Sequence, residues 1–71
     1  MDGADDHYGA LGVEPEASAR EIREAWRFAL LAFHPDRFRE GPQRRRAEEV
    51  TKRANAAWEV LGDPGRRRAY D

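Results

Sequence analysis

There is no cysteine among the 71 residues of this chain. That excludes disulfide staples and thiolate metal sites, and it is what a reducing compartment permits. No apolar run approaches the length of a membrane span, and the chain starts with Asp2, Asp5 and Asp6 where a secretory leader would be basic. A soluble, cytoplasmic protein is the expectation. An excess of one charge is missing too: 13 Lys and Arg stand against 14 Asp and Glu, a net charge of −1. Neither bulk attraction to nucleic acid nor an acidic solubilising tail follows from that balance. With no internal repeat, the length fits one small domain, whose apolar core rarely supplies more than about 3–5 kcal/mol of net stability. So short a chain leaves no room for a large buried active-site cavity.

What is present is helical patterning. After an acidic start, Asp6 is an N-cap for a short first helix carrying Tyr8 and Leu11, and Gly12 suits a left-handed stop. Gly9 costs that helix about 1 kcal/mol relative to alanine, so packing of Tyr8 and Leu11 has to hold it. Val13 is expected to dock on the core. Ser18 and Glu21 form a capping-box pair that opens a second helix, with apolar residues at Ile22, Ala25, Trp26, Ala29, Leu30 and Phe33. A third helix begins at Pro42 or Gln43 and carries Ala47, Val50, Ala54, Ala57, Trp58 and Leu61 on one stripe, with Thr51 beside them. Gly62 ends it, and Asp63-Pro64 starts a brief last helix. Two stripes of this length, joined by a loop of some eight residues, bury themselves by packing as an antiparallel pair over 19–33 and 43–61. Alanines 25, 29, 54 and 57 let the two backbones approach. The expected large core residues are Tyr8, Leu11, Ile22, Trp26, Leu30, Phe33, Val50, Trp58 and Leu61.

His34-Pro35-Asp36 follows directly on the second helix. Proline has no N–H for the helix ladder and pushes the residue before it out of the α region, so His34 is the last residue able to belong to the helix and Asp36 falls in the loop. Taken alone, the three residues are a polar helix end, a stop signal and a solvated acid. They are equally a rigid acidic knuckle fit for recognition, since loops on rigid supports carry function. Phe38 is an anchor for that loop.

The surrounding residues decide between the two. Asp6-His7-Tyr8 with Leu11-Gly12-Val13, Ile22 with Ala25-Trp26-Arg27, His34-Pro35-Asp36-Arg37, Asn55 with Ala57 to Leu61, and Asp63-Pro64 with Arg67 to Asp71 occur in order and at spacings that resemble the J-domain of DnaJ-type co-chaperones. The resemblance covers residues 6–71 and leaves 1–5 as a flexible acidic N-terminus. It implies an all-α, four-helix J-domain with short first and last helices. It also implies a partner, a DnaK-type heat-shock chaperone met at its ATPase domain and linker, whose ATP hydrolysis the domain stimulates through the exposed tripeptide. The domain is then a regulator rather than an enzyme, with no cofactor, metal or small-molecule substrate of its own. Partner-binding roles carry over to His34, Pro35, Asp36, Arg23 and Arg27, with Arg20 and Arg37 in support.

Taking Ile22 as the centre of the buried side and about 100° per residue, Arg23 and Arg27 fall at about 100° and 140°, while Leu31, Glu24 and Phe28 fall at about 180°, 200° and 240°. Arg23 and Arg27 thus match the basic face such domains use. Glu24, Phe28 and Ala32 depart from it, standing where lysine or arginine is common, so the basic face is thinned. Phe28 and Leu31 become either a secondary partner contact or a patch covered by the last helix or by chain beyond Asp71. Trp26 and Trp58 stand where tyrosines are typical, and Thr51 and Ala54 are smaller than usual for core positions, which implies a repacked core. Two rival functions follow from particular features: recruitment of a partner without ATPase stimulation, from the thinned face, and nucleic-acid binding, from the arginine runs 44–46 and 66–68. Near-neutral charge argues against the second, because charge runs are ordinarily solvated faces. Acid–base catalysis by His34 and Asp36 lacks a pocket, a nucleophile and a metal-ligand set.

Overall fold

The computed structural model describes residues 6–71. The N-terminal stretch 1–5, expected to be flexible, lies outside them. Four α-helices and one short 3-10 turn make up the fold: α1 His7–Leu11, α2 Ala19–Ala32, the turn Pro35–Arg37, α3 Pro42–Leu61 and α4 Pro64–Tyr70. The described residues contain no strand and no helix long and apolar enough to cross a membrane.

Local chemistry sets the boundaries. The Asp6 carboxylate accepts from the Tyr8 N–H to start α1, and Gly12 ends it in the left-handed region at φ 70°. Ser18 accepts from the Glu21 N–H while the Glu21 carboxylate accepts from the Ser18 N–H, completing the expected capping box on α2. Asp63 accepts from the Arg66 N–H at 2.8 Å to start α4. Gly62 is not the left-handed stop that a helix-ending glycine implies, since its φ is −76°. It is glycine for room: a Cβ there would lie 2.8 Å from the Trp58 ring.

Helices α2 and α3 pack as an antiparallel hairpin. Trp26 stacks on Trp58 with centroids 4.6 Å apart, its indole N–H donates to Asn55 at 2.9 Å, and the Thr51 hydroxyl donates to the Phe33 carbonyl at 3.0 Å. Partners therefore fall along α3 as they rise along α2. Tyr8, Leu11, Ile22, Ala29, Ala54, Ala57 and Leu61 form one buried cluster, and Ile22, Ala54 and Ala57 are completely enclosed. The small side chains on both helices are what let the seam close. Val13, as expected, packs against this cluster.

The core is narrower than the stripes imply. Trp26, Leu30, Val50 and Trp58 are half-buried, and Phe33 is exposed. The buried residues follow a narrow strip along each helix, Ile22 and Ala29 on α2 and Ala47, Ala54, Ala57 and Leu61 on α3, and the tryptophans stack on each other at its margin. Phe33 is the C-cap of α2, at φ −119° and ψ 25°, still donating its N–H to the Ala29 carbonyl, because Pro35 forbids another turn. Trp58→Ala thus falls below the cost of about 3–5 kcal/mol that holds for a fully buried tryptophan.

Helix α4 is held to α1 by a polar clasp rather than by buried apolar area. The Tyr8 hydroxyl donates to Asp71 at 2.6 Å and accepts from the Arg67 guanidinium at 3.0 Å, and that guanidinium also donates to the carbonyls of Pro15 and Ala17. Tyr70 accepts from the His7 N–H and donates to Asp6. Burial pushes the Tyr8 phenol above its ordinary pKa of about 10, the hydrogen bond to Asp71 adds to the rise, and Arg67 opposes it. The folded state therefore holds this proton more tightly than the unfolded one. The stability it confers is complete below the ordinary value and is lost as pH climbs through the raised one. Urea midpoints taken at about pH 8 and about pH 11 are expected to fall further for the native chain than for Tyr8→Phe. Equal falls would show that Tyr8 contributes nothing to the alkaline limb.

Candidate functional site at the α2–α3 turn

The connection between α2 and α3 is more ordered than a proline-bounded loop need be. His34 is extended, at φ −61° and ψ 126°, as a residue before proline must be. Pro35 then opens a single 3-10 turn instead of only blocking helix, because its fixed φ and missing N–H suit a first helical position. Asp36 is thus the second residue of a turn closed by Arg37 N–H to the His34 carbonyl at 2.9 Å and Phe38 N–H to the Pro35 carbonyl at 3.0 Å. Phe38 itself is half-buried. His34 caps the turn: its Nδ1 accepts from the Asp36 N–H at 3.2 Å. An accepting Nδ1 puts the proton on Nε2, which remains available as an outward donor. The imidazole is 57% exposed and the Asp36 carboxylate 77% exposed, so both ends of the motif face solvent on a rigid support.

The turn is fastened to the hairpin from both sides. Arg37 folds back to donate to the Leu31 carbonyl at 2.6 Å, and Thr51 reaches across from α3 to the Phe33 carbonyl. These side chains satisfy carbonyls that the end of α2 leaves open, with neither glycine nor a basic residue in its last turn. Arg37 is therefore spent partly on closing the helix. From α3, the Arg44 guanidinium lies 3.5 Å from Asp36 Oδ1 and 3.6 Å from Glu48. Neither role could be read from the sequence, in which Thr51 is an undersized stripe residue and Arg44 one of a solvated run. The hydroxyl at a stripe position is the one signal from which the capping role of Thr51 could have been found.

Along α2, Arg23 and Arg27 are exposed and flank an open depression floored by Trp26, Leu30 and Leu31. Neither makes an ion pair or hydrogen bond among the described residues. Arg20 instead pairs with Glu24 at 3.3 Å and lies at the far end of α2, about 20 Å from the turn by helix rise. The site thus brings together His34, Pro35, Asp36 and Arg37 at one end, sets Arg27 and Arg23 on the adjoining helix face, and leaves Arg20 apart.

Residues 6–71 match the DnaJ domain family. The chain belongs to that family. It is 44% identical over 66 residues to the chaperone protein DnaJ of Salinibacter ruber, 43% over 67 residues to that of Opitutus terrae and 46% over 66 residues to that of Wolinella succinogenes. These alignments take in 93–94% of the chain but only 16–17% of each relative. The chain is thus equivalent to one J-domain within much longer proteins.

Within this J-domain, Phe28 and Leu31 are each 68% exposed, so α4 does not cover them. Leu31 belongs to the floor of the α2 depression and Phe28 follows Arg27 along the helix, so the exposed face of α2 mixes cations with apolar side chains. The arginine runs do not make a continuous phosphate track. Arg44 is engaged by two carboxylates, Arg66 donates to the Glu59 carbonyl at 3.2 Å, and Arg67 belongs to the clasp. Arg67 in particular is structural, where a solvated helix end was the expectation.

Proposed function

We propose that this J-domain binds a DnaK-type heat-shock chaperone at its ATPase domain and linker and accelerates its ATP hydrolysis. The observation that carries the reading is the turn itself, an exposed carboxylate carried on a backbone fixed by its proline and by the His34 cap. A partner changes a conformational equilibrium only by binding one state better than another. Asp36 accepts a charge-assisted hydrogen bond from a basic group presented in the hydrolysis-competent arrangement, worth about 1.5–3 kcal/mol once desolvated. His34 fixes the turn through Nδ1 and offers Nε2–H to the same surface. Arg23 and Arg27 steer the α2 face toward acidic ground on the chaperone, raising the rate of encounter more than the affinity. The chemistry stays with the chaperone, so the domain acts as a regulator in the compartment that holds it, the cytoplasm.

A second reading, recruitment without stimulation, draws on the α2 face, where Glu24 and Phe28 interrupt the positive surface. Single-turnover ATP hydrolysis by a DnaK-type chaperone separates the two. The wild-type domain is expected to accelerate it and His34→Gln to lose the acceleration. Binding without acceleration supports recruitment, and equal rates with both forms remove the turn from the mechanism.

A further inference from the structure

The fold presents Asp36 already in company. Its carboxylate lies 3.5 Å from Arg44 and 3.8 Å from His34 Nδ1, while every bond that closes the turn is made by other atoms: the Asp36 N–H to His34 Nδ1, the Arg37 N–H to the His34 carbonyl and the Phe38 N–H to the Pro35 carbonyl. The Arg44 contact therefore does not shape the turn. It sets a cation beside one oxygen of the acceptor. Arg44 also has a reason to seek an acid. It sits in the first turn of α3, beside Arg45 and Arg46, at a helix start that Gly41 leaves without a side-chain cap. Cations at the positive end of a helix are disfavoured, and a nearby carboxylate relieves them. Glu48, one helical turn on, holds the same guanidinium at 3.6 Å. Asp36 and Glu48 thus share a single arginine, whose side chain is only 35% exposed against 77% for Asp36.

We propose that Arg44 is an intramolecular competitor for Asp36, and that Glu48 sets how strongly it competes. This rests on the reading that Asp36 is the group a chaperone engages. The incoming basic group displaces the Arg44 guanidinium, which then falls to Glu48. Arg44 therefore raises the concentration of domain needed for stimulation and leaves the fully bound state unaltered. An exposed ion pair is worth up to about 1 kcal/mol, which corresponds to about fivefold in a binding constant.

Two measurements test this. In the free domain, a double-mutant cycle of Asp36→Asn and Arg44→Gln by urea unfolding is expected to give a coupling distinguishable from zero that shrinks with added salt. Zero coupling overturns the proposal without reference to any chaperone. In single-turnover hydrolysis, Arg44→Gln is expected to lower the half-saturating domain concentration by about two- to fivefold with unchanged maximal rate. Arg44→Lys is expected to stay close to the wild type. Glu48→Gln should shift the concentration upward, and Arg44→Gln/Glu48→Gln should behave as Arg44→Gln alone. A wild-type domain that stimulates while Arg44→Gln is unchanged or weaker overturns the competition. A wild-type domain that fails to stimulate overturns the functional reading, and the competition with it.

Discussion

Asp36→Asn is expected to abolish most of the stimulation of a DnaK-type ATPase while leaving the fold intact. Asparagine matches aspartate in shape, and the bonds that build the turn use the Asp36 N–H, the His34 ring and two carbonyls, none of which the substitution removes. What disappears is the negative charge. In the free domain this removes only the exposed contact with Arg44, and exposed pairs contribute about 0–1 kcal/mol. In the complex it replaces a charge-assisted acceptor by a neutral one, at a cost of about 1.5–3 kcal/mol, or about 10- to 150-fold in the concentration needed. Urea unfolding and single-turnover hydrolysis on the same preparations separate the two effects. Near-native stimulation by Asp36→Asn would sink the idea that charge at this turn is what the chaperone reads.

Ile22→Ala has the largest expected effect on stability. Among the described residues Ile22 is the one large side chain with no exposed surface, placed where α1, α2 and α3 meet, and its neighbours Ala54 and Ala57 are too small to move into a vacated space. Removing its methyl and methylene groups costs about 2–5 kcal/mol, against a net stability of about 3–5 kcal/mol for so small a domain. The variant should be partly unfolded at room temperature by far-UV circular dichroism. Leu31→Ala, of similar chemistry but on the exposed side of the same helix, is expected to lie within about 0.5 kcal/mol of the wild type. A loss under about 1 kcal/mol at Ile22 would mean that the hairpin is not what holds the domain together.

Helix boundaries were legible because they are short-range chemistry. Asp6, Ser18 with Glu21, Pro42 and Asp63-Pro64 act on their own neighbours, and each begins a helix as its spacing implies. The family resemblance rested on the same local order. Burial was less legible, since a stripe tells which side of a helix faces in and not how much is covered. Phe33, Trp26 and Trp58 all satisfy the period, yet the covered strip is too narrow to enclose them. Least legible were contacts between residues far apart in sequence: Thr51 capping Phe33, Arg44 on Asp36, and Arg67 beneath Tyr8. Nothing in a run of arginines marks which guanidinium will find an acid or a carbonyl once the helices are packed. The site was therefore visible in its residue types, and its internal pairing was not.

The clasp between Tyr8, Tyr70, Asp6 and Asp71 brings the two extremities of the described chain together beside the start of α2, where Arg67 also grips the Ala17 carbonyl. Fourteen residues of α2 separate that point from Phe33, a helix length of about 21 Å. A dye, a surface tether or a fused domain attached at either extremity thus departs from the pole opposite His34-Pro35-Asp36. The domain can be carried as cargo from both ends at once and still present its acidic tip unobstructed.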